Sequence, residues 1–228
     1  CKIIRVKNKK TKVWNKSHAL NIGIKECTNE FIATIDCDIC LGKKFLSKCR
    51  RHLKKNSFIY SRSVRRIIGE VFDWNVSEKK LESISTDWLG KNQGSAHLAV
   101  GGIQIFPKWW IDEIRGYDEN LIYWGGIDND IVERAMRTGL ILIDLNELIF
   151  HQEHEKIKEH NLEDDEEIKF AIAERNKRRM YLIYKWQGNI NIGHEIWGEP
   201  DNPQCNEINL HYTDKKPETK EEKDEPKK

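Results

Sequence analysis

Phe31-Ile32-Ala33-Thr34-Ile35-Asp36-Cys37-Asp38-Ile39 is the stretch on which the fold turns. Phe31 to Ile35 is apolar and β-prone without alternation, which predicts a buried strand of a mixed or parallel sheet. Asp36 and Asp38 follow at i and i+2. In open α/β sheets, ligands lie beyond the carboxyl ends of the strands, so carboxylates placed there face a ligand. Two of them at such a rim suit a divalent cation that joins them to a phosphate. Asp-x-Asp pairs also occur in ordinary surface loops, so the weight of this one depends on what the rest of the chain supplies.

The 228 residues suffice for one domain, or one and a half, with a real core. A net charge of +2 gives no electrostatic case for nucleic acid or an anionic membrane. No apolar run has the length of a membrane span, and no signal-peptide pattern is present. Six irregularly spaced cysteines do not form a disulfide framework, so a reducing, cytoplasmic setting is expected. The chain opens on Cys1, and Lys2 to Val6 resembles a strand remnant with no earlier partner. An N-terminally incomplete domain is the expectation.

Upstream of the Asp pair, Ser17 is a candidate N-cap for a short helix carrying Ala19, Leu20, Ile22 and Ile24 and stopping near Asn29. Downstream, Lys43 to Lys55 reads as an amphipathic helix with Phe45, Leu46, Cys49 and Leu53 on one face. Phe58-Ile59-Tyr60 reads as a strand, Val64 to Trp74 as a helix, and Glu78 to Ser85 as a further turn or two. The Gly-, Ser- and Asn-rich stretch 90–102 leads into a strand through Phe106. Pro107 suits the first turn of the next helix. Gly116 to Asn120 is a turn and Tyr123 to Gly126 a Gly-rich aromatic loop. Asp128 opens a helix with Ile131, Ala135 and Met136 inward, ended by Gly139. Strands at Leu140–Asp144 and Leu148–Phe150 lead to His151 and His154. A long helix from Asp164 to Gln187, acidic first and basic later, matches the helix dipole. Residues 214–228 contain only Lys, Glu, Asp, Pro and Thr and are too polar to fold alone.

Several groups carry chemistry. Lys16, at a helix N-terminus with free N–H groups, suits phosphate oxygens. Trp14 offers a flat face for a nucleobase; a basic surface turn with a core Trp is the plainer alternative. Gly101-Gly102 permits close approach of a ligand, or merely a bend into a strand. In Trp124-Gly125-Gly126-Ile127-Asp128-Asn129-Asp130, Asp128 sits at or just before a helix N-terminus. A carboxylate kept ionised there, beside an aromatic, Gly-lined cavity, takes a proton from a hydroxyl nucleophile. An N-cap Asp with Asp130 as a first-turn charge is the alternative. His151 and His154, i and i+3 past a strand, offer imidazoles to the metal of Asp38, while His160 reads as a solvated neighbour. Cys37 and Cys40 have C-x-x-C spacing, but no second such pair follows.

Taken together, these residues resemble the GT-A glycosyltransferases, nearest to the β-1,4-galactosyltransferase C-terminal region and to glycosyltransferase family 2 enzymes of the chondroitin-polymerase type. Trp14-Asn15-Lys16 with Leu20-Asn21-Ile22-Gly23 resembles the family's nucleotide-contacting segment, which makes Asn21 a donor contact beside Trp14 and Lys16. Asp36-Cys37-Asp38 resembles its Asp-x-Asp motif, whose second Asp binds manganese. Gly101-Gly102, Gly116-Tyr117-Asp118-Glu119 and Trp124 through Asp130 follow the family's donor- and acceptor-site order. The resemblance makes Asp128 the catalytic base and places Trp124, Gly125, Gly126 and Asp130 at the acceptor. A metal-binding His also belongs to the pattern, with His151 and His154 as the two candidates. Three departures stand out: Ile127 where the family has Glu, Lys16 where it has Arg, and no first β-α-β unit.

The resemblance implies an α/β, GT-A-type mixed sheet flanked by helices and lacking that first unit. Residues 1–160 would form the glycosyltransferase domain, 161–212 a C-terminal helical extension and 213–228 a disordered charged tail. The implied activity is inverting transfer of a hexose or N-acetylhexosamine from a UDP-sugar to a glycan hydroxyl, with Mn²⁺ or Mg²⁺, in polysaccharide biosynthesis. The competing readings are a non-catalytic nucleotide-sugar- or glycan-binding remnant and a metal-dependent hydrolase.

Overall fold

The computed structural model describes residues 4, 14–67, 76–87, 102–123, 125–153, 166–185 and 197–198. Among the described residues, two four-stranded sheets share one apolar cluster and are flanked by helices. The first contains β1 (Phe31–Ile35), β3 (Ser57–Tyr60), β6 (Ile103–Pro107) and β7 (Ile141–Asp144), in the order β1-β6-β3-β7. The second contains β2 (Ile39–Leu41), β4 (Val64–Ile67), β5 (Ser85–Asp87) and β8 (Ile149–Gln152), in the order β2-β8-β4-β5. Each sheet is mixed, because β3–β7 and β4–β8 run parallel and the other pairs antiparallel. This is the mixed α/β architecture expected of a GT-A-type domain.

Strand alternation sorts the side chains into layers. One face of the first sheet gives Ile32, Phe58, Tyr60 and Phe106 to a cluster that includes Ile24 of α1 (Lys16–Lys25), Trp110 and Ile111 of α4 (Lys108–Glu113), and Ile127, Ile131 and Ala135 of α5 (Ile127–Arg137). Within it, Phe106 lies 5.7 Å from Phe58 and 5.7 Å from Trp110 between ring centroids, the latter pair edge-on. The other face presents Ile59, Ile103 and Ile105 to Ile39, Val64 and Ile149 of the second sheet, joined by Phe45 and Cys49 of α2 (Phe45–His52). Beyond the second sheet, Ile67 and Phe150 pack on Leu81 of α3 (Glu78–Ile84). The long helix α6 spans Glu166–Lys185, and Ile168 and Ala171 are its buried positions among the described side chains.

Trp197 extends this core in a way the sequence did not suggest. It is buried in the same cluster as Ile24 and Tyr117, with the Lys25 ammonium 4.3 Å from its ring centroid. Trp197 and Gly198 therefore lie against the main core.

Several local expectations need correction. Val64–Ile67 is a strand and not the start of a helix: Val64 and Ile67 face different clusters on opposite sides of the sheet, a spacing that reads as helical in one dimension. The strand β1 pairs antiparallel with β6 and is an edge among the described strands; Ile32 is buried but Ile35 is 44% exposed. Leu46 and Met136 point outward, at 66% and 48% exposure. The N-cap of α1 is Asn15, whose Oδ1 accepts from the His18 N–H, and not Ser17. The N-cap of α5 is Gly126, so Asp128 lies inside the first turn.

Candidate active site

The carboxyl end of β1 places Asp36 and Asp38 in a short turn before β2, closed by an N–H of Ile39 donating to the Asp36 carbonyl at 3.1 Å. Two further contacts fix that turn. The Asp36 N–H donates to the Gly102 carbonyl at 3.2 Å, and the Gln152 N–H to the Asp38 carbonyl at 2.9 Å. The second extends the β2–β8 ladder by one step, pairing Asp38 with Gln152 and leaving it next to His151, which lies within β8 and not past its end as expected. Gly102 is closely packed: a Cβ there would sit 3.1 Å from Ile39 Cδ1 and 3.2 Å from Ile149 Cδ1, so either side chain would have to give by a few tenths of an ångström. Gly101 lies outside the described residues.

Asp38 Oδ2 is 3.4 Å from His151 Nε2. Adjacent ligands of a cation with bonds of about 2.1 Å lie about 3 Å apart, so this carboxylate and imidazole fit neighbouring positions on one divalent ion. Among the described residues no three His, Cys, Asp or Glu side chains gather as a metal-binding group. Among the described residues, Asp38 and His151 are the pair that such a site would use. His154 lies outside the described residues.

Lys16, in the first turn of α1, reaches the Asp pair from the helix side: its Nζ is 2.6 Å from Asp36 Oδ1. Burial works against its charge, but Asp128, Asp36 and Asp38 outweigh that and hold the ammonium above its ordinary range. Asp128 is half-buried, and desolvation pushes its carboxyl up, with Lys16 opposing and Asp36 adding to the rise. Lys16, Asp36 and Asp128 thus form one electrostatic group, with Asp38 and His151 beside it.

The loop that delivers Asp128 is set by backbone conformation. Gly125 and Gly126 have φ of +94° and +89°, a region open to glycine at little cost, and Tyr123 has φ of +66°. The Tyr123 N–H donates to the Trp14 carbonyl at 3.1 Å, which ties this loop to the segment carrying Lys16. Trp14 itself is 57% exposed. Trp124 lies outside the described residues. Ile127 is a core side chain, 3% exposed.

Two residues expected to touch ligand are engaged within the protein. Asn21 is wholly buried; its Nδ2 donates to the Tyr117 carbonyl at 3.0 Å and to Glu119 Oε1 at 2.8 Å, and its Oδ1 accepts from the Tyr117 N–H at 2.8 Å. Asp130 Oδ2 accepts from Arg134 Nε at 3.0 Å and from its second terminal nitrogen at 2.7 Å, while the first donates to the Gly116 carbonyl at 2.7 Å. Both fasten helices to the 116–119 turn, and neither side chain lines an open surface.

The organiser of that turn was not identified from the sequence. Glu119, 2% exposed, accepts from Asn21 and from the Gly198 N–H at 2.7 Å, and its Oε2 lies 3.2 Å from His18 Nδ1. Its carbonyl accepts from Asn15 Nδ2 at 2.8 Å. Nearby, the Tyr117 hydroxyl donates to Gln104 Oε1 at 2.7 Å and lies 2.9 Å from Thr34 Oγ1; burial pushes this phenol up, away from ionisation. The available signal was Tyr-Asp-Glu after Gly116, polar groups in a turn flanked by apolar segments.

Comparison with known proteins relates the chain to glycosyltransferases. Residues 87–159 match the model of the N-terminal domain of galactosyltransferase. A hyaluronan synthase from Pasteurella multocida is 23% identical over 184 residues, covering 66% of this chain and 19% of that protein. The chain thus spans about a fifth of the length of the curated relative it matches. The model of glycosyl transferase family 2 matches residues 1–114, half of the chain, and the chain belongs to that family.

Proposed function

We propose that this chain transfers a hexose or N-acetylhexosamine from a UDP-sugar to a glycan hydroxyl, by a single inverting displacement that depends on a divalent cation. One observation carries the reading: Lys16, Asp36, Asp38, Asp128 and His151, from separate segments, meet in one place as a cation, an Asp–His pair and a carboxyl with a raised proton affinity. Family membership supports glycosyl transfer, and the likeness to a hyaluronan synthase supports a glycan product.

Asp38 and His151 would hold Mn²⁺ or Mg²⁺; an imidazole in the set suits manganese better than magnesium, which favours oxygen ligands. The ion, when bound, supplies Lewis-acid stabilisation of the diphosphate leaving group. Lys16 adds a fixed positive charge against the phosphate oxygens. Asp128 accepts the proton of the acceptor hydroxyl, and its raised affinity brings it nearer the pH at which a general base works best. Trp14 stacks on the nucleobase, and Trp124 is assigned to the acceptor sugar by sequence position alone.

The test is a transfer assay on the full chain with labelled UDP-sugars, Mn²⁺ or EDTA, and oligosaccharide acceptors. Label entering the glycan only with cation and acceptor present is the expected result. Cation-dependent hydrolysis indifferent to acceptor would establish a hydrolase instead. Donor binding with no turnover would establish a binding domain.

A further inference from the structure

Trp197 and Gly198 engage α1 toward both of its ends. Near the carboxyl end, the Lys25 ammonium lies 4.3 Å from the Trp197 ring centroid. A Cβ on Gly198 would lie 2.9 Å from the Asn21 carbonyl oxygen and 3.0 Å from Lys25 Cγ. Gly198 also has φ of +69°, a conformation open to glycine at little cost. Toward the amino end, the Gly198 N–H donates to Glu119 Oε1 at 2.7 Å. Glu119 carries the connection onward: its Oε2 lies 3.2 Å from His18 Nδ1, and its carbonyl accepts from Asn15 Nδ2 at 2.8 Å. Asn15 is the N-cap of α1 and the residue before Lys16.

The same two residues abut the turn that faces α5. A Cβ on Gly116 would lie 2.6 Å from Trp197 Cε3, so the indole sits directly against the Gly116 backbone. The Gly116 carbonyl accepts from Arg134 of α5 at 2.7 Å. Arg134 also binds Asp130 in the first turn of α5, where Asp128 stands. Filling a core requires only an apolar side chain. Here a buried carboxylate, a cation and a left-handed backbone are matched to two consecutive residues, and the contacts lead toward Lys16 and Asp128.

We propose that Trp197 and Gly198 are positioning residues of the donor site, holding α1 so that Lys16 meets the phosphate oxygens of the bound nucleotide. The proposal rests on the nucleotide-sugar reading above and gives these two residues a part in it. They act through Glu119, Asn15 and the helix that follows, not by touching the nucleotide.

The experiment is calorimetric titration of the full chain with UDP and Mn²⁺, below the unfolding transition of every variant. Lys16 donates charge-assisted bonds, so its displacement predicts that Trp197→Ala weakens UDP binding about tenfold or more. Trp197→Phe should retain most of the affinity, and added indole should restore much of it to Trp197→Ala by refilling the cavity. Gly198→Ala leaves every core side chain in place and should weaken binding in the same direction; it decides the matter where Trp197→Ala does not fold. In a Lys16→Met background the same substitutions should weaken UDP binding little further, because the group they position is gone. Leu140→Ala is the control: it empties another position of the same buried cluster, and its UDP affinity should stay within a fewfold of wild type. Wild-type affinity in folded Trp197→Ala and Gly198→Ala, or full additivity with Lys16→Met, overturns the proposal and leaves the nucleotide-sugar reading intact. An equal loss in Leu140→Ala also overturns it, because a loosened core would then suffice. A wild type that binds no UDP, with or without Mn²⁺, overturns both.

Discussion

The Lys16 ammonium lies 2.6 Å from Oδ1 of Asp36, joining the start of α1 to the end of β1. The same ammonium lowers the proton affinity of Asp128, which burial and Asp36 raise. One lysine therefore serves two carboxylates on different segments. Lys16→Met should raise Asp128 further, because the one opposing charge is gone. A base works only when deprotonated, so the acid limb of the kcat/KM profile should move to higher pH. Donor affinity should fall as well. A profile unmoved by the substitution would separate Lys16 from Asp128.

Asp38 and His151 differ in what they bring to a cation. Asp38→Ala removes the charged ligand and should abolish the Mn²⁺-dependent part of UDP binding, read by calorimetry. His151→Ala leaves a carboxylate and the substrate oxygens, so activity should persist with a much higher Mn²⁺ requirement. Equal, small effects at both positions would remove the cation from this pair.

Gly116 has φ of +73°, and a Cβ there would lie 2.4 Å from Asn21 Oδ1 and 2.6 Å from Trp197 Cε3. Gly116→Ala should cost about 2–4 kcal/mol, combining left-handed strain with displacement of a buried amide or an indole. Chemical denaturation would measure it, and a loss below about 0.5 kcal/mol, the range of neutral surface changes, would contradict the packing described.

The Asp130–Arg134 pair is almost wholly buried, at 7% and 1% side-chain exposure. Removing one partner of a buried pair strands the other charge. Asp130→Ala should therefore destabilise the chain by about 3–5 kcal/mol. A variant of normal stability with a selectively raised acceptor KM would return Asp130 to the acceptor site.

Reading the chain in one dimension located the groups that cluster because they end regular elements. Asp36 and Asp38 follow an apolar run that forms β1, and Asp128 follows two glycines that form the entry to α5. Side chains held by distant partners were less accessible. Nothing local distinguishes Asn21 as a ligand contact from Asn21 as the partner of Tyr117 and Glu119, because those partners lie elsewhere in the chain. Val64 and Ile67 misled for a related reason: two clusters on opposite sides of a sheet mimic the spacing of one helical face. Trp197 carried no local signal of its burial, which its tertiary contacts with the cluster beside α1 explain.

Asp128→Asn tests the proposed chemistry most directly. The raised carboxyl binds its proton more tightly folded than unfolded, so stability falls as pH rises from the ordinary carboxylate range through the raised value. At neutral pH the neutral amide should thus leave stability equal or slightly higher. It cannot accept the hydroxyl proton, and loss of a positioned base costs about 10²–10⁴ in rate. The decisive measurement is single-turnover transfer alongside UDP-sugar affinity in the same Asp128→Asn preparation. Retained affinity with transfer reduced by at least about 10² is the predicted result; transfer within a fewfold of wild type would contradict Asp128 as the base.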